Sequence, residues 1–420
     1  MFKSKFNLRS TVIEHSRNVV AVAICLAGFT LFSGCEKEND PVNPPPPPPT
    51  EAIELISPIT VNTTLKDLGL PVDYIYKGSG LLQVRNNAVL TIEPGVTIQF
   101  TDKTGGMEIR DGATIQAVGT AEKRIGFVGA TANKGCWDNI LITTTTDNQF
   151  KYVDMTNGGS RNDAFNHPAI FSIENGQVGI SHCKVSGGLV HGIVFYDNCR
   201  ITAFDNNTVE NCDDVPVWIR GAWKLLEKFD MTSVFTNNTK QYVQIAPNQS
   251  HKEDATISQT SVPYYFSNSC DYLNAKLTIN EGVTIYMGDG VSLTGYSAPG
   301  QGRLVINGTA AKKVKFTRLP GTTQHWQSVY FNGLTGSEIN HCIFEYGGKN
   351  ENSEIILIAD NADLTLNNVE INNSYNYGVR LGFGGCKYRL THNNVTFKEN
   401  YKGNVLNTCV SPNEVLDELP

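Results

Sequence analysis

The chain has 420 residues, 18% of them charged and 40% hydrophobic, and carries a net charge of −7. That balance excludes a disordered chain and one built mainly of membrane spans. After residue 34, thirty basic side chains face forty acidic ones, so nothing electrostatic calls for nucleic acid as a partner.

The N-terminus reads as a targeting signal over 1–34. Lys3, Lys5, Arg9 and Arg17 form a basic start, and "VVAVAICLAGFTLF" (19–32) is an apolar stretch too short for a comfortable permanent span. It ends in "LFSGC", which resembles a bacterial lipobox. That resemblance implies acylation of Cys35 and cleavage just before it; an ordinary secretory signal with a chance cysteine is the other reading. Residues 35–54 then read as a tether, acidic in "EKENDPVN" and extended through six consecutive prolines. The acidic run resembles the signal by which some Gram-negative lineages place lipoproteins on the outer surface. The expected location is the outer membrane, surface-exposed or else facing the periplasm.

Beyond the tether the chain repeats itself. "LTIEPGVTIQF" (90–100) returns as "LTINEGVTIYM" (277–287), with seven of eleven positions identical. Apolar and polar residues alternate on both sides of the Pro-Gly corner, which reads as two short strands. Strands of this kind continue as "NILI" (139–142), "AIFSI" (169–173), "GIVF" (192–195) and "VPVWI" (215–219). Their period of roughly 20 to 30 residues indicates stacked repeats. The apolar runs are too short for helical repeats, so the expected fold is all-β, a parallel β-helix. "NN" pairs at 206–207, 367–368, 372–373 and 393–394 suit corners where asparagines bond from one turn to the next.

A longer duplication overlies this period. "TIQAVGTAEKRIGFVG" (114–129) matches "LVINGTAAKKVKFTR" (304–318), and "GCWDNILI" (135–142) matches "QHWQSVYF" (324–331). "HGIVF" (191–195) answers "YGVRL" (377–381). We therefore expect two homologous modules, 55–212 and 263–420, joined by 213–262. In the joint, "GAWKLLEKF" (221–229) has the spacing of a short helix; an extended connector is the other reading. The joint reads as a connection and not as a site.

The ordered series of "LTIEPGVTI", "GT", "W-x-x-I" and "GG" resembles the right-handed parallel β-helix proteins of the pectate-lyase-like superfamily, in particular bacterial surface lipoproteins. It covers nearly everything after residue 55. It implies the fold and its hand; the superfamily contains lyases, hydrolases and adhesins, so activity does not follow.

The polygalacturonase-like motifs of that superfamily are not present in order. "HGI" at His191–Ile193, "RIT" at Arg200–Thr202 and the pair Asp213–Asp214 are scattered pieces of them. A lyase needs a calcium-binding acidic cluster beside a base, for which Asp197, Arg200, Asp213 and Asp214 are the candidates; solvated turn residues are the alternative. No spacing for a metal, a phosphate or a cofactor is present, and no catalytic residue is assigned. Trp137 and Trp326 occupy matching positions, which suits either sugar stacking or a buried plug. Eight cysteines follow Cys35, in a compartment that permits disulfides, and their pairing is not deducible.

The expectation is a lipid-anchored, non-enzymatic binding or adhesion protein for glycan or another surface macromolecule. A polysaccharide lyase or glycoside hydrolase is the alternative. Loops on a rigid scaffold collect binding residues, and both modules carry a polar excursion after "GG". Arg161, Asp163, Asn166 and His167 in the first, with Lys349, Asn350 and Glu351 in the second, are the candidate ligand contacts. The membrane is the expected partner through Cys35. Cys35→Ala is expected to move the protein from the membrane fraction to the soluble one; membrane retention with normal cleavage would remove the lipoprotein reading.

Overall fold

The computed structural model describes residues 49–160, 168–196, 198–221, 223–247, 250–297, 301–409 and 419, all within the compact unit that begins at Pro48. Cys35, Arg161, Asp163, Asn166, His167 and Asp197 lie outside the described residues. What is described is a parallel β-solenoid of about 13 turns.

One turn shows how the sequence makes the rest. Val89–Ile92 and Thr97–Phe100 alternate half-buried with buried residues, and Gly106–Ile109 follows on a third face. Gly95 makes the sharp corner between the first two at φ 97°, a conformation open to glycine. Each strand then pairs in parallel with the equivalent strand one turn on, so inward residues stack in columns. One column runs Ile98, Phe127, Met155, Val185, Val209 and Phe235. Another runs Ile140, Phe171, Ile193, Val217, Val243, Tyr264 and Ile285. None of these side chains is more than 3% exposed, and each such burial contributes about 1.5–3 kcal/mol before chain entropy is charged against it.

Corners are where asparagine works. Among the described residues, thirteen of the nineteen non-glycine residues with positive φ are asparagines, because their short polar side chains tolerate the left-handed region. Others sit inside as rungs between turns. Asn207 accepts from the Cys183 amide and donates to Ile180 O, both at 3.0 Å; Asn238 does the same for Cys212 and Val209. Asn394 donates to Asn368 at 2.8 Å, and Asn367 to Asn340 at 3.0 Å. The turn-to-turn asparagine bonding anticipated from the "NN" pairs is present.

The turns change partners near the joint. In residues 53–236 each turn supplies a six-stranded, an eight-stranded and a sixteen-stranded sheet. The sixteen-stranded sheet takes the third strand of each turn as far as Val243–Ile245. Above that it takes the second strand, beginning with Tyr264–Phe266, and also the first strands from Ala255–Ile257 onward, the two rows joining in Ser337–Glu345. The eight-stranded sheet ends at Val234–Thr236, and a new six-stranded sheet starts at Cys270–Leu273. A 3-10 helix, Trp223–Lys228, replaces one strand here, burying Trp223, Leu225 and Leu226. The helical spacing over 221–229 thus corresponds to a helix.

The duplicated Trp and "GG" are one device. Trp137 Nε1 donates to Thr156 O, and Trp326 Nε1 to Glu345 O, both at 2.7 Å. Both rings are fully buried. A methyl group on Gly158 would come within 2.6 Å of the Trp137 ring, and one on Gly347 within 2.9 Å of the Trp326 ring. The tryptophans are plugs, and the first glycine of each "GG" is the space they fill. Cys386 and Cys409 form a disulfide, whereas Cys136, Cys183, Cys199, Cys212, Cys270 and Cys342 are not disulfide-bonded. Burial raises the Cys183 thiol to about 12 and Cys212 to about 11, which makes them packing groups and not nucleophiles. Gly158→Ala or Gly347→Ala is expected to lower unfolding free energy by about 1–3 kcal/mol in denaturant titrations. An unchanged midpoint for both would show that the plug has slack.

Candidate functional site

Where the eight-stranded sheet stops, its last strand, Val234–Thr236, pairs with Thr208–Glu210 on one edge and with no strand on the other among the described residues. The Phe235 amide instead donates to Ser261 Oγ at 2.9 Å. This step in the wall opens a groove made of three adjoining hollows. The first, about 430 Å³, lies between Asp230, Met231, Thr232, Gln259, Glu281 and Lys312. Gln259 also borders the second, about 180 Å³, with Ser261, Gly282 and Thr284. Thr284 leads into the third, about 480 Å³, walled by Tyr286, Lys315, Thr317, Arg318, Thr322, Glu345 and Tyr346.

The third hollow is the most elaborated. Lys315 Nζ lies 2.7 Å from Glu345 Oε1, and Thr317 Oγ1 donates to the same oxygen at 2.9 Å. The Arg318 guanidinium lies 3.9 Å above the centre of the Tyr346 ring, a cation–π contact. His325 sits 5.6 Å from the Tyr375 ring, and Tyr375 stacks on Tyr401 at 6.1 Å. Those two tyrosines are 52% and 79% exposed, so the aromatic strip continues out of the hollow into solvent. On the other side, Tyr286 heads an outward row in strict register: Tyr265, Gln244 and Trp218 on successive turns. Arg220 lies 4.9 Å over Trp218. Three of these side chains come from 213–262, which the sequence presented as a mere joint.

The duplication acts as an internal control. In the aligned segments, Lys315 corresponds to Gly126, Arg318 to Gly129, and Tyr286 to Gln99; Glu345 and Tyr346 correspond to Thr156 and Asn157. The first half folds the same strands without any of these charges or rings. The groove set is therefore not required by the solenoid.

Of the residues read as ligand contacts from sequence, Lys349, Asn350 and Glu351 are among those described. Lys349 Nζ pairs with Asp289 at 2.8 Å, and Asn350 closes its own turn through Ser353 Oγ and the Asn352 amide. Glu351 is exposed. The described lyase-like candidates, Arg200, Asp213 and Asp214, are engaged separately. Asp213 pairs with Lys134 at 2.6 Å and Asp214 with Lys240 at 2.8 Å, while Arg200 opens a strand of the first six-stranded sheet. His191 is buried edge-on against Trp218, and burial lowers its pKa to about 4, outweighing the attraction of Asp214. Among the described residues no group of three or more His, Cys, Asp or Glu could hold a metal ion. Nothing in the linear sequence brings Tyr286, Arg318 and Tyr346 together; only the turn-to-turn register does.

Comparison with protein-family models, with curated proteins and with solved structures finds no match to this chain. The functional reading therefore rests on the geometry above.

One buried carboxyl has a measurable consequence. Asp138, beside the Trp137 plug, is 3% exposed. Burial raises its pKa from 3.8 to about 7, only partly offset by Ser160 Oγ at 3.3 Å. Between those values the folded chain holds a proton that the unfolded chain has lost. Its contribution to stability is complete below pH 3.8 and is lost as pH rises through about 7. His191 titrates in the opposite sense, so the variant must be compared with the parent at each pH. Asp138→Asn is expected to gain stability over the parent progressively from about pH 4 to about pH 8. A constant difference across that range would mean Asp138 folds as an ordinary carboxylate.

Proposed function

We propose that this chain is a lipid-anchored extracytoplasmic β-helix protein that binds glycan or another surface macromolecule along the step groove without turning it over. The observation that carries the reading is the set Tyr286, Lys315, Arg318, Glu345 and Tyr346. Aromatic faces for stacking and fixed donors and acceptors line an open hollow, at positions the other half fills with small or neutral residues. A groove crossing successive turns suits an extended ligand, since a solenoid repeats its contacts along its axis. The lipobox-like "LFSGC" and the proline tether supply the anchor in this reading. The Cys386–Cys409 disulfide supports an oxidising compartment.

The test is a glycan array followed by titration of the purified protein with whichever polymer it retains. Tyr286→Ala combined with Tyr346→Ala is expected to weaken binding at least tenfold, about 1.4 kcal/mol, with the melting temperature within 2–3 °C of the parent, as about 0.5 kcal/mol or less would give. Undiminished binding, combined with a loss on shortening 349–352, would move the site to the loops. Release of reducing ends or unsaturated uronides would replace binding by catalysis.

A further inference from the structure

In the third hollow the paired charges leave one over, Arg318. Lys315 is matched by Glu345, and Lys312 by Glu281 at 3.3 Å; Lys349 nearby is matched by Asp289. The Arg318 side chain makes no hydrogen bond or ion pair with any described residue. Arg124 and Arg389, by contrast, each grip a carboxylate, Asp154 and Asp363. Arg318 is also held still. Its guanidinium lies on Tyr346, whose amide donates to Asn372 O and whose carbonyl accepts from the amide of the Trp326 plug. A guanidinium fixed by its flat face keeps its N–H edges free, in the planar fork that matches two oxygens of one anion. The neighbouring His325 does not compete, because burial and the charge of Arg318 both depress its pKa.

We infer that the ligand of the third hollow is acidic, and that Arg318 takes a carboxylate or sulfate group of the polymer while Tyr286 and Thr322 address its hydroxyls. This rests on the binding reading of the groove. The protein's own charge of −7 opposes indiscriminate attraction to polyanions, so affinity for one must come from a local site.

Three polymers on one backbone separate the possibilities: dextran, carboxymethyl-dextran and dextran sulfate, titrated against the full chain at low and high salt. The parent is expected to bind one or both charged forms at least tenfold more tightly than dextran, with affinity falling as salt rises; which form wins distinguishes carboxylate from sulfate. Arg318→Gln should lose at least tenfold on that form, and Arg318→Lys should fall between, keeping the charge without the fork. Arg303→Gln, an exposed arginine outside the groove, removes the same charge and should change affinity less than twofold. Melting temperatures of all three variants check the fold. Equal binding of dextran, or equal losses for the two Gln variants, would overturn the acidic ligand and leave the groove reading standing. Failure of all three polymers to bind, together with an empty glycan array, would overturn both.

Discussion

Parallel pairing in register is the constraint on which this molecule depends. Each turn must set its inward side chain directly over the one before, at the roughly 4.8 Å spacing of neighbouring strands. A slip of one residue would turn the whole inward set outward. The columns from Ile98 to Phe235 and from Ile140 to Ile285 are that constraint written in side chains. It also dictates the corners. Backbone groups that leave a strand inside the stack need partners, and Asn207 and Asn238 provide them by bonding amide and carbonyl of the turn before.

The same constraint explains why the groove lies at the joint. A stack that keeps its register has a smooth wall, with no strand edge along its length. Here the sixteen-stranded sheet exchanges third strands for second strands between Val243–Ile245 and Tyr264–Phe266, and the eight-stranded sheet has no position to continue into. The 3-10 helix Trp223–Lys228 fills the missing strand, and Phe229 stacks on Phe204 at 4.4 Å to keep the interior closed. Outside, no such filler follows Val234–Thr236, so a step remains. This change of phase lies beside the groove.

The solenoid was legible in the sequence because its rule is local. Alternation within "VLTI" and "TIQF", glycine at the corner and a period near 25 residues are all visible along the chain. The plug was half legible. Duplicate tryptophans and duplicate "GG" could be seen, but not that Gly158 and Gly347 exist to admit the rings; the glycines were read instead as the start of binding loops. The Cys386–Cys409 pair was beyond reach, since its aligned counterpart Cys199 is not disulfide-bonded and faces Ile173 O. The groove was not legible at all. Tyr286, Lys315 and Glu345 are separated by some thirty residues each, and only the stacking of three turns makes them neighbours.

A duplicated fold offers a way to separate what folding demands from what it does not. Trp137 and Trp326 make the same bond to the same position, and Gly159 and Gly348 share a left-handed φ of 77° and 72°. Those agreements mark requirements of the turn. The disagreements divide again. His191 against Tyr377 and Asp138 against Gln327 exchange one buried or half-buried polar group for another beside a plug or strand start, which packing alone can tolerate. Gly126 against Lys315, Gly129 against Arg318 and Asn157 against Tyr346 are different in kind. Each replaces a small or neutral residue by a charge or ring that lines a hollow, and all three fall on the same one. Similar exchanges occur elsewhere, as at Leu141 against Tyr330 and Val194 against Arg380; what sets this hollow apart is that three converge on it, with Arg318 braced on Tyr346 and matched by no carboxylate.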